Sequence, residues 1–326
     1  PGNGMPIRSP HDTLITIFGG SGFVGRHVVR ALARRNFRIR NAVRRPDLAG
    51  HLQPLGRAGQ IHSVQANLRY PDSVMAAARG SAVVINLVGV LFERGAQSFE
   101  AVHTRGAAAV ARTAAAADAR LIHMSALGAN PESPSLYART KAAGETAVRE
   151  IVPDATIFRP SVVFGPEDDF FNRFAALARF TPALPLVGGG NTRFQPVYVG
   201  DVAEAIARAV EREQYAGTYE IGGPEIVTLK EAMQYVLDVT RRKRLLVPLP
   251  FRLAEINASV LQFMPKPLLT PDQVALLRQD NVVSEAAIRE NRTLAALEIE
   301  PTSMRAIVPS YLWRFRRHGQ FRNRPA

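Results

Sequence analysis

The stretch from Leu14 to Arg34 constrains the fold of this chain more than any other. An apolar run, Leu14-Ile15-Thr16-Ile17-Phe18, reads as a buried strand, and it breaks into glycines spaced G-x-x-G-x-x-G at Gly19, Gly22 and Gly25. Apolar side chains then recur at helical spacing, Val24, Val28, Ala31 and Leu32, with Arg26, Arg30 and Arg34 on the other face. Strand, glycine turn and helix form the setting a phosphate-binding loop requires. Glycines let the backbone approach a pyrophosphate, whose charge then sits on the free amides of a helix N-terminus. The expected contacts are Gly19, Gly20, Ser21, Gly22, Phe23, Val24, Gly25 and Arg26, and the expected ligand is a dinucleotide; a chance glycine turn is the alternative.

Residues 37 to 43 read as a second strand, followed by Arg44-Arg45-Pro46-Asp47. At this strand end an acid suits the ribose 2′-hydroxyl of NAD and an arginine the 2′-phosphate of NADP. Arg44 and Arg45 therefore predict NADP(H), against solvent-exposed arginines as the plain alternative. A third strand is expected near 61 to 66, with Asn67 and Leu68 where an adenine-edge contact belongs. The almost wholly apolar 81 to 90 predicts a central strand of a parallel sheet, interrupted by Asn86 just before Leu87-Val88-Gly89. An alanine-rich helix is expected over 98 to 117, and a fifth strand over 121 to 124 ends at Ser125. Strands alternating with helices at this spacing predict a doubly wound α/β sheet with right-handed crossovers.

Ser125 stands at a strand's carboxyl end, where such sheets place ligands. Tyr137 and Lys141, four apart on a predicted helix, project from one face. A nearby ammonium favours phenolate, so Lys141 is expected to pull the Tyr137 pKa down from ~10 toward neutrality, suiting proton transfer beside a hydride transfer. Ser125 would hold the substrate oxygen.

These motifs together resemble the extended or atypical short-chain dehydrogenase/reductase superfamily. Phe158-Arg159-Pro160, Phe164-Gly165-Pro166, Pro196 to Val202 and Gly222-Gly223-Pro224 continue the likeness. The stretches 123 to 129, Tyr137 to Glu145, Gly165 to Phe174 and Gln195 to Val199 resemble the nucleotide-binding accessory subunit of respiratory complex I. That is the alpha-subcomplex subunit nine family of NADH:ubiquinone oxidoreductase, and the likeness runs roughly from Thr13 to Phe321. It implies a Rossmann-like NADP(H) domain over 1–180 and a smaller α/β domain over 181–326, partly interleaved with the first and ending in a basic tail. It implies contacts to the nucleotide that extend to Leu87, Val88, Gly89, Ser125, Tyr137, Lys141 and Pro160. It also implies an NADPH that is held and not turned over, with Tyr137, Lys141 and Ser125 vestigial as catalysts. The partners implied are other complex I subunits on the peripheral arm, near the membrane and quinone region. A segment 1 to 12 without an apolar core suggests the bacterial form, on the cytoplasmic side of the inner membrane.

Two features speak against catalysis independently. Tyr137 follows Ser125 by only twelve positions, leaving little loop for a substrate pocket. The second half offers only Arg159, Arg193 and Gln195 as substrate contacts, and each also suits a structural role.

Charge is the odd feature of the composition: Lys+Arg 41 against Asp+Glu 28, a net +13. Arg241-Arg242-Lys243-Arg244 is one basic run, and six arginines (305, 314, 316, 317, 322 and 324) follow Pro301 with no acid among them. Anionic lipid, an acidic protein partner or nucleic acid would each answer such charge, and nucleic acid is set aside for want of a recognised RNA module. No cysteine is present, which excludes disulfides, thiolate metal sites and thiol catalysis. No metal site is expected. Thr228 and Glu231 predict a capping box at the head of a helix over 229 to 240. A second apolar segment, 251 to 264, suits core or, with flanking arginines, the interfacial zone of a membrane. The basic aromatic C-terminus, with Tyr311, Trp313 and Phe315, is expected to be a docking element that the nucleotide fold does not need. The competing functions are a working NADP-dependent reductase or epimerase and an NADP(H)-sensing regulator.

Overall fold

The computed structural model describes residues 9–264 and 267–317. Its main sheet contains β1 (Leu14–Phe18), β2 (Arg38–Val43), β3 (Ile61–Gln65), β4 (Val83–Asn86), β5 (Arg120–Met124), β6 (Thr156–Pro160) and β7 (Gly217–Ile221). The helices used below are α1 (Phe23–Arg34), α2 (Pro71–Ala78), α3 (Ala107–Ala116), α4 (Leu136–Ile151), α5 (Phe171–Phe180), α6 (Val199–Glu211), α7 (Leu229–Thr240), α8 (Phe251–Leu261) and α9 (Pro271–Leu276).

The chain forms two compact units that are not consecutive in sequence. The first takes Pro1–Pro131, Arg139–Arg159 and Val202–Tyr219, and the second takes Glu132–Ala138, Pro160–Asp201 and Glu220–Ala326. Residue 180, where the sequence places the boundary, lies inside the second unit.

The first unit is built on the seven-stranded sheet in the order β7-β6-β5-β4-β1-β2-β3. The pairs β1/β2, β1/β4, β2/β3, β4/β5 and β5/β6 are parallel. Strand order reverses between β1 and β4, and such switch points are where open α/β sheets take ligands. Every residue of β4 is buried, as a strand covered on both faces must be. It is shorter than its apolar run predicts, because Leu87, Val88 and Gly89 leave the sheet. Val88 N donates to Asn86 Oδ1 at 3.2 Å, which turns the chain at the strand end. On α1 the buried face runs through Val24, Val28, Val29, Leu32 and Ala33, so Val29 and Ala33 replace the expected Ala31. The alanine-rich segment starts as a π-helical turn, Glu100–Gly106, before α3. Ala107, Ala111 and Ala114 of α3 then pack beside Val110 against Phe18, Val84 and Leu121.

In the second unit the capping box at Thr228 and Glu231 stands as expected. Glu231 N donates to Thr228 Oγ1 at 3.1 Å and Thr228 N to Glu231 Oε2 at 2.7 Å. One core of this unit joins Phe164 and Phe171 to Val236, Met304, Val308, Tyr311 and Leu312. Tyr311 Oη donates to Asp168 Oδ2 at 2.5 Å. Arg316 Nε and Arg242 Nε donate to the backbone carbonyls of Val239 and Phe315, both at 2.9 Å. The described part of the expected docking tail is therefore partly core of the second unit: Tyr311 and Leu312 are buried and Arg316 binds an internal carbonyl, whereas Arg305, Arg314 and Arg317 are exposed and Arg322 and Arg324 lie outside the described residues. A chain ending at Pro309 is therefore expected to lose stability, because deleting a buried leucine side chain alone costs ~2–5 kcal/mol. Calorimetry on the shortened chain should show a lowered transition; an unchanged one would separate Tyr311 and Leu312 from the core.

The apolar segment over 251 to 264 is also arranged differently from a core helix. α8 buries only Ala254 and Ala258. Leu253, Ile256, Val260 and Phe263 are 52%, 63%, 70% and 84% exposed. No described helix is long and apolar enough to cross a membrane.

Candidate functional site

The loop after β1 is shaped by its glycines. Gly19 sits at φ +87°, and a Cβ there would stand 3.1 Å from the backbone carbon of Leu87. Only glycine tolerates both the left-handed backbone and this approach of two strand ends. A Cβ on Gly25 would stand 2.2 Å from Gly19 O, so α1 packs directly on the loop. Gly22, the N-cap of α1, differs. It is exposed, and a Cβ on it would meet only Gly19 O, at 3.3 Å. No side chain caps α1 and no acid lies in its first turn, so the amides and positive dipole end face an open cradle. Arg26 folds back on the loop, donating from Nε to Gly22 O at 3.3 Å and from Nη2 to Ser21 O at 3.5 Å. Phe23 meets His27 edge to face on the next turn. These residues fit the pyrophosphate of a dinucleotide.

At the end of β2 the two arginines part company. Arg45 is taken up by Asp47, with Nη2 2.7 Å and Nε 3.0 Å from the carboxylate oxygens. Arg44 is exposed and makes no hydrogen bond or ion pair among the described residues. Of the pair, Arg44 is therefore the one available to a phosphate. Fully buried Asn41 was missed by sequence reasoning. Its Oδ1 has no hydrogen-bond partner and lies 2.3 Å from where a Cβ on Gly20 would stand. An asparagine interrupting an apolar strand was the available signal. Asn67 spends its side chain locally, accepting from Arg69 N at 3.1 Å. Leu68 packs beside Gly106, with its Cδ1 3.0 Å from where a Cβ there would be.

At the carboxyl ends of β4 and β5, Leu87 is buried and Gly89 is exposed. Lys141 Nζ lies 3.4 Å from the Cβ position of Gly89 and donates to Met124 O at 3.3 Å. Burial lowers its pKa to about 8, against the pull of Glu145 in the other direction. Ser125 is buried, and its Oγ makes no hydrogen bond of ordinary length. Below them Glu145 is buried and held by three bonds. Arg159 grips it twice, Nε to Oε1 at 2.8 Å and Nη2 to Oε2 at 2.6 Å, and Arg149 Nη2 reaches Oε2 at 2.7 Å. Burial pushes the Glu145 carboxyl up, but Arg159, with Ser125 and Arg149, more than offsets this and holds it below the usual range.

Two buried histidines complete the surroundings. His103 accepts from Val90 N at Nε2, 3.1 Å, which leaves its Nδ1 proton for Thr140 Oγ1 at 3.2 Å. His123 Nδ1 pairs with Asn86 Nδ2 at 3.2 Å. Burial first, and then the Lys141 charge, lowers both imidazole pKa values to about 3. Neither histidine was singled out from the sequence.

Tyr137 lies one turn before Lys141 on α4 and is half-buried. The expected shift is reversed: its pKa is pushed up to about 12, by burial first and by Asp272 second. Lys141 is itself buried and depressed, so desolvation and a carboxylate outweigh the ammonium. Pro160 ends β6 and is buried. The three substrate candidates in the rest of the chain have structural partners. Arg159 holds Glu145, Arg193 Nε binds Asp280 at 2.8 Å, and Gln195 bridges Gly223 O and Val283 N at 2.8 and 2.9 Å. Among the described residues no group of histidines and acids is placed to hold a metal.

Comparison with known proteins agrees with this geometry. The profile of the NAD dependent epimerase/dehydratase family matches residues 15–222. The chain is 36% identical over 318 residues to the mitochondrial NADH dehydrogenase [ubiquinone] 1 alpha subcomplex subunit 9 of Arabidopsis thaliana, covering 93% of this chain and 78% of that protein. It is 35% identical over 239 residues to a ceramide reductase of Caulobacter vibrioides, covering 73% and 74%. Its fold matches dTDP-glucose 4,6-dehydratase of Streptomyces venezuelae, solved with NAD and TYD bound, at a TM-score of 0.69 and 18% identity over 93% and 96% of the two chains. With its seven-stranded sheet, glycine cradle and Tyr137/Lys141 helix, this dehydrogenase-like chain belongs to the NAD dependent epimerase/dehydratase family of extended short-chain dehydrogenases, on the branch that includes alpha subcomplex subunit 9.

Proposed function

We propose that this chain is an accessory subunit of respiratory complex I that holds NADPH without turning it over. It would stabilise the peripheral arm near the membrane and quinone region, on the cytoplasmic side of a bacterial inner membrane. The observation that carries the reading is the bare face of α8. Leu253, Ile256 and Val260 of α8, with Phe263 just beyond its end, are more than half exposed, and a protein that works alone rarely leaves such a patch open. Arg252 on the same helix and the Arg242-Lys243-Arg244 run add cationic charge, which suits a subunit seam beside anionic head groups at ~1 kcal/mol per basic residue. Unengaged Arg44 favours the 2′-phosphate of NADP(H), since a charge-assisted bond contributes ~1.5–3 kcal/mol. The dinucleotide would lie along Gly19 to Arg26, reach Asn67 and Leu68 with its adenine end, and end near Gly89, Ser125, Lys141 and Pro160. When bound it would supply a hydride-carrying ring. The chain would orient that ring and offer Tyr137 as a proton-bearing donor.

The test is native purification. Membranes solubilised in mild detergent should release this chain in the same assembly as NADH:quinone oxidoreductase activity, with one NADP or NADPH extracted per chain. Recovery of NAD or NADH would remove the role given to Arg44. Recovery as a free oligomer would favour the second reading, an active NADP-dependent reductase using Tyr137, Lys141 and Ser125. That reading is supported by the likeness to a ceramide reductase.

A further inference from the structure

The first turn of α4, which carries Tyr137, is held by a residue far away in sequence. Asp272, at the head of α9, accepts from Leu136 N through Oδ1 at 2.6 Å. Its Oδ2 accepts from Ser135 Oγ at 2.8 Å and from Tyr137 N at 3.3 Å. Ser135 Oγ in turn accepts from Ala138 N at 3.2 Å. The orphan amides that begin every helix are thus satisfied by one carboxylate and the serine it orders.

Asp272 is itself well placed to stay put. Thr270 and Gln273 form a capping box around it, with Gln273 N donating to Thr270 Oγ1 at 3.2 Å and Thr270 N to Gln273 Oε1 at 3.2 Å. Val274, two residues on, is fully buried with Ala254 and Ala258 of α8. These contacts fix the backbone on either side of Asp272.

We propose that Asp272 is the positioning residue of Tyr137: it fixes the turn that presents the phenol and keeps it protonated, so that Tyr137 serves as a hydrogen-bond donor and not as a base. A carboxylate at the head of the turn that carries a phenol disfavours a second negative charge there. Glu132, Arg139 and Lys141 are the charged residues nearest in sequence to Tyr137. Asp272 is the carboxylate bound to the turn itself, its Oδ2 3.3 Å from Tyr137 N, and its charge raises the Tyr137 pKa, second to burial. The inference concerns the chain without ligand and holds for either function above.

The experiment follows tyrosinate absorbance against pH in the full chain, with a Tyr137→Phe trace subtracted to isolate one tyrosine of the seven. Asp272→Asn keeps an oxygen acceptor for the helix and removes the charge. Its Tyr137 midpoint should fall by ~1 pH unit relative to the parent. Ser135→Ala removes the two hydrogen bonds of the serine hydroxyl and keeps the Asp272 charge, and its midpoint should stay where it is. If Asp272→Asn does not fold, Asp272→Ser provides an uncharged acceptor and should give the same fall. An unmoved midpoint in the folded uncharged variant, or an equal fall in Ser135→Ala, overturns the proposal and leaves Asp272 as a helix cap. No nucleotide or respiratory assembly enters the measurement, so its failure is distinct from failure of the proposed function.

Discussion

Gly22→Ala is expected to leave a folded protein with an empty nucleotide loop, and Gly25→Ala is expected to break the loop itself. The difference follows from what each added methyl would meet. At position 25 it would lie 2.2 Å from Gly19 O and 2.5 Å from Gly20 Cα, all backbone that cannot rotate away. Overpacking of this kind typically costs ~1–3 kcal/mol and more where nothing yields. At position 22 the methyl has one neighbour, Gly19 O at 3.3 Å, and otherwise projects into the open cradle. It costs the fold little and occupies the space a pyrophosphate needs. We expect Gly22→Ala to lose at least ~100-fold in NADPH affinity, about 2.8 kcal/mol, with its ligand-free unfolding temperature almost unchanged. It should also lose the stabilisation that ligand confers on the parent by mass action. Fluorescence titration with NADPH and paired thermal melts measure both. Parent-like affinity in Gly22→Ala would falsify the placement of the phosphates at the head of α1.

The second large effect is a steep loss of stability in mild acid. His103 and His123 are neutral in the fold, with pKa values near 3, whereas in the unfolded chain each returns to ~6.5. Between these values the unfolded state binds more protons than the native state, so stability rises with pH and falls on acidification. Two such groups give a slope approaching ~2.7 kcal/mol per pH unit well inside the window. Lys141 has the same sign in a higher window. Its folded value near 8 lies below the unfolded ~10.5, so stability continues to rise with pH between them. Tyr137 has the opposite consequence, since a folded value near 12 removes stability as pH climbs above ~10. Urea midpoints at about pH 6.5, 5.5 and 4.5, even steps inside the histidine window, should therefore drop sharply. His123→Gln should reduce the slope by about half. A flat profile across that range would mean that both histidines are charged or solvated in the native protein.

The sequence makes local structure legible and leaves distant structure obscure. The run Leu14 to Arg34 announces strand, turn and helix because every cause lies within one α/β unit, and Thr228 and Glu231 announce a helix start because both partners sit within one turn. Tyr137 and Lys141 are likewise visible as neighbours. Their electrostatics are not, because the sign of the tyrosine shift depends on burial and on a carboxylate 135 residues away. Thr270-Pro271-Asp272-Gln273 reads as a helix start, but nothing local says that its aspartate caps another helix as well. α8 misleads in a different way. Large apolar residues at helical spacing ordinarily mark the inward face, and here two alanines face inward while the large residues point out. Periodicity identifies a stripe and cannot say which side of the helix the protein keeps for itself.

The order in which the ribosome delivers this chain has a consequence for its synthesis. The sheet of the first unit takes its last strand, β7, from residues 217–221, long after β6 at 156–160 has emerged. At ~5–20 residues per second, β6 remains for several seconds an edge strand with unpaired amides and carbonyls. Meanwhile the intervening 160–201 belongs to the other unit. An unpaired edge is a template for intermolecular pairing. Nascent chains of this protein are therefore exposed to aggregation until β7 has been made, and chaperone demand during translation is built into the topology.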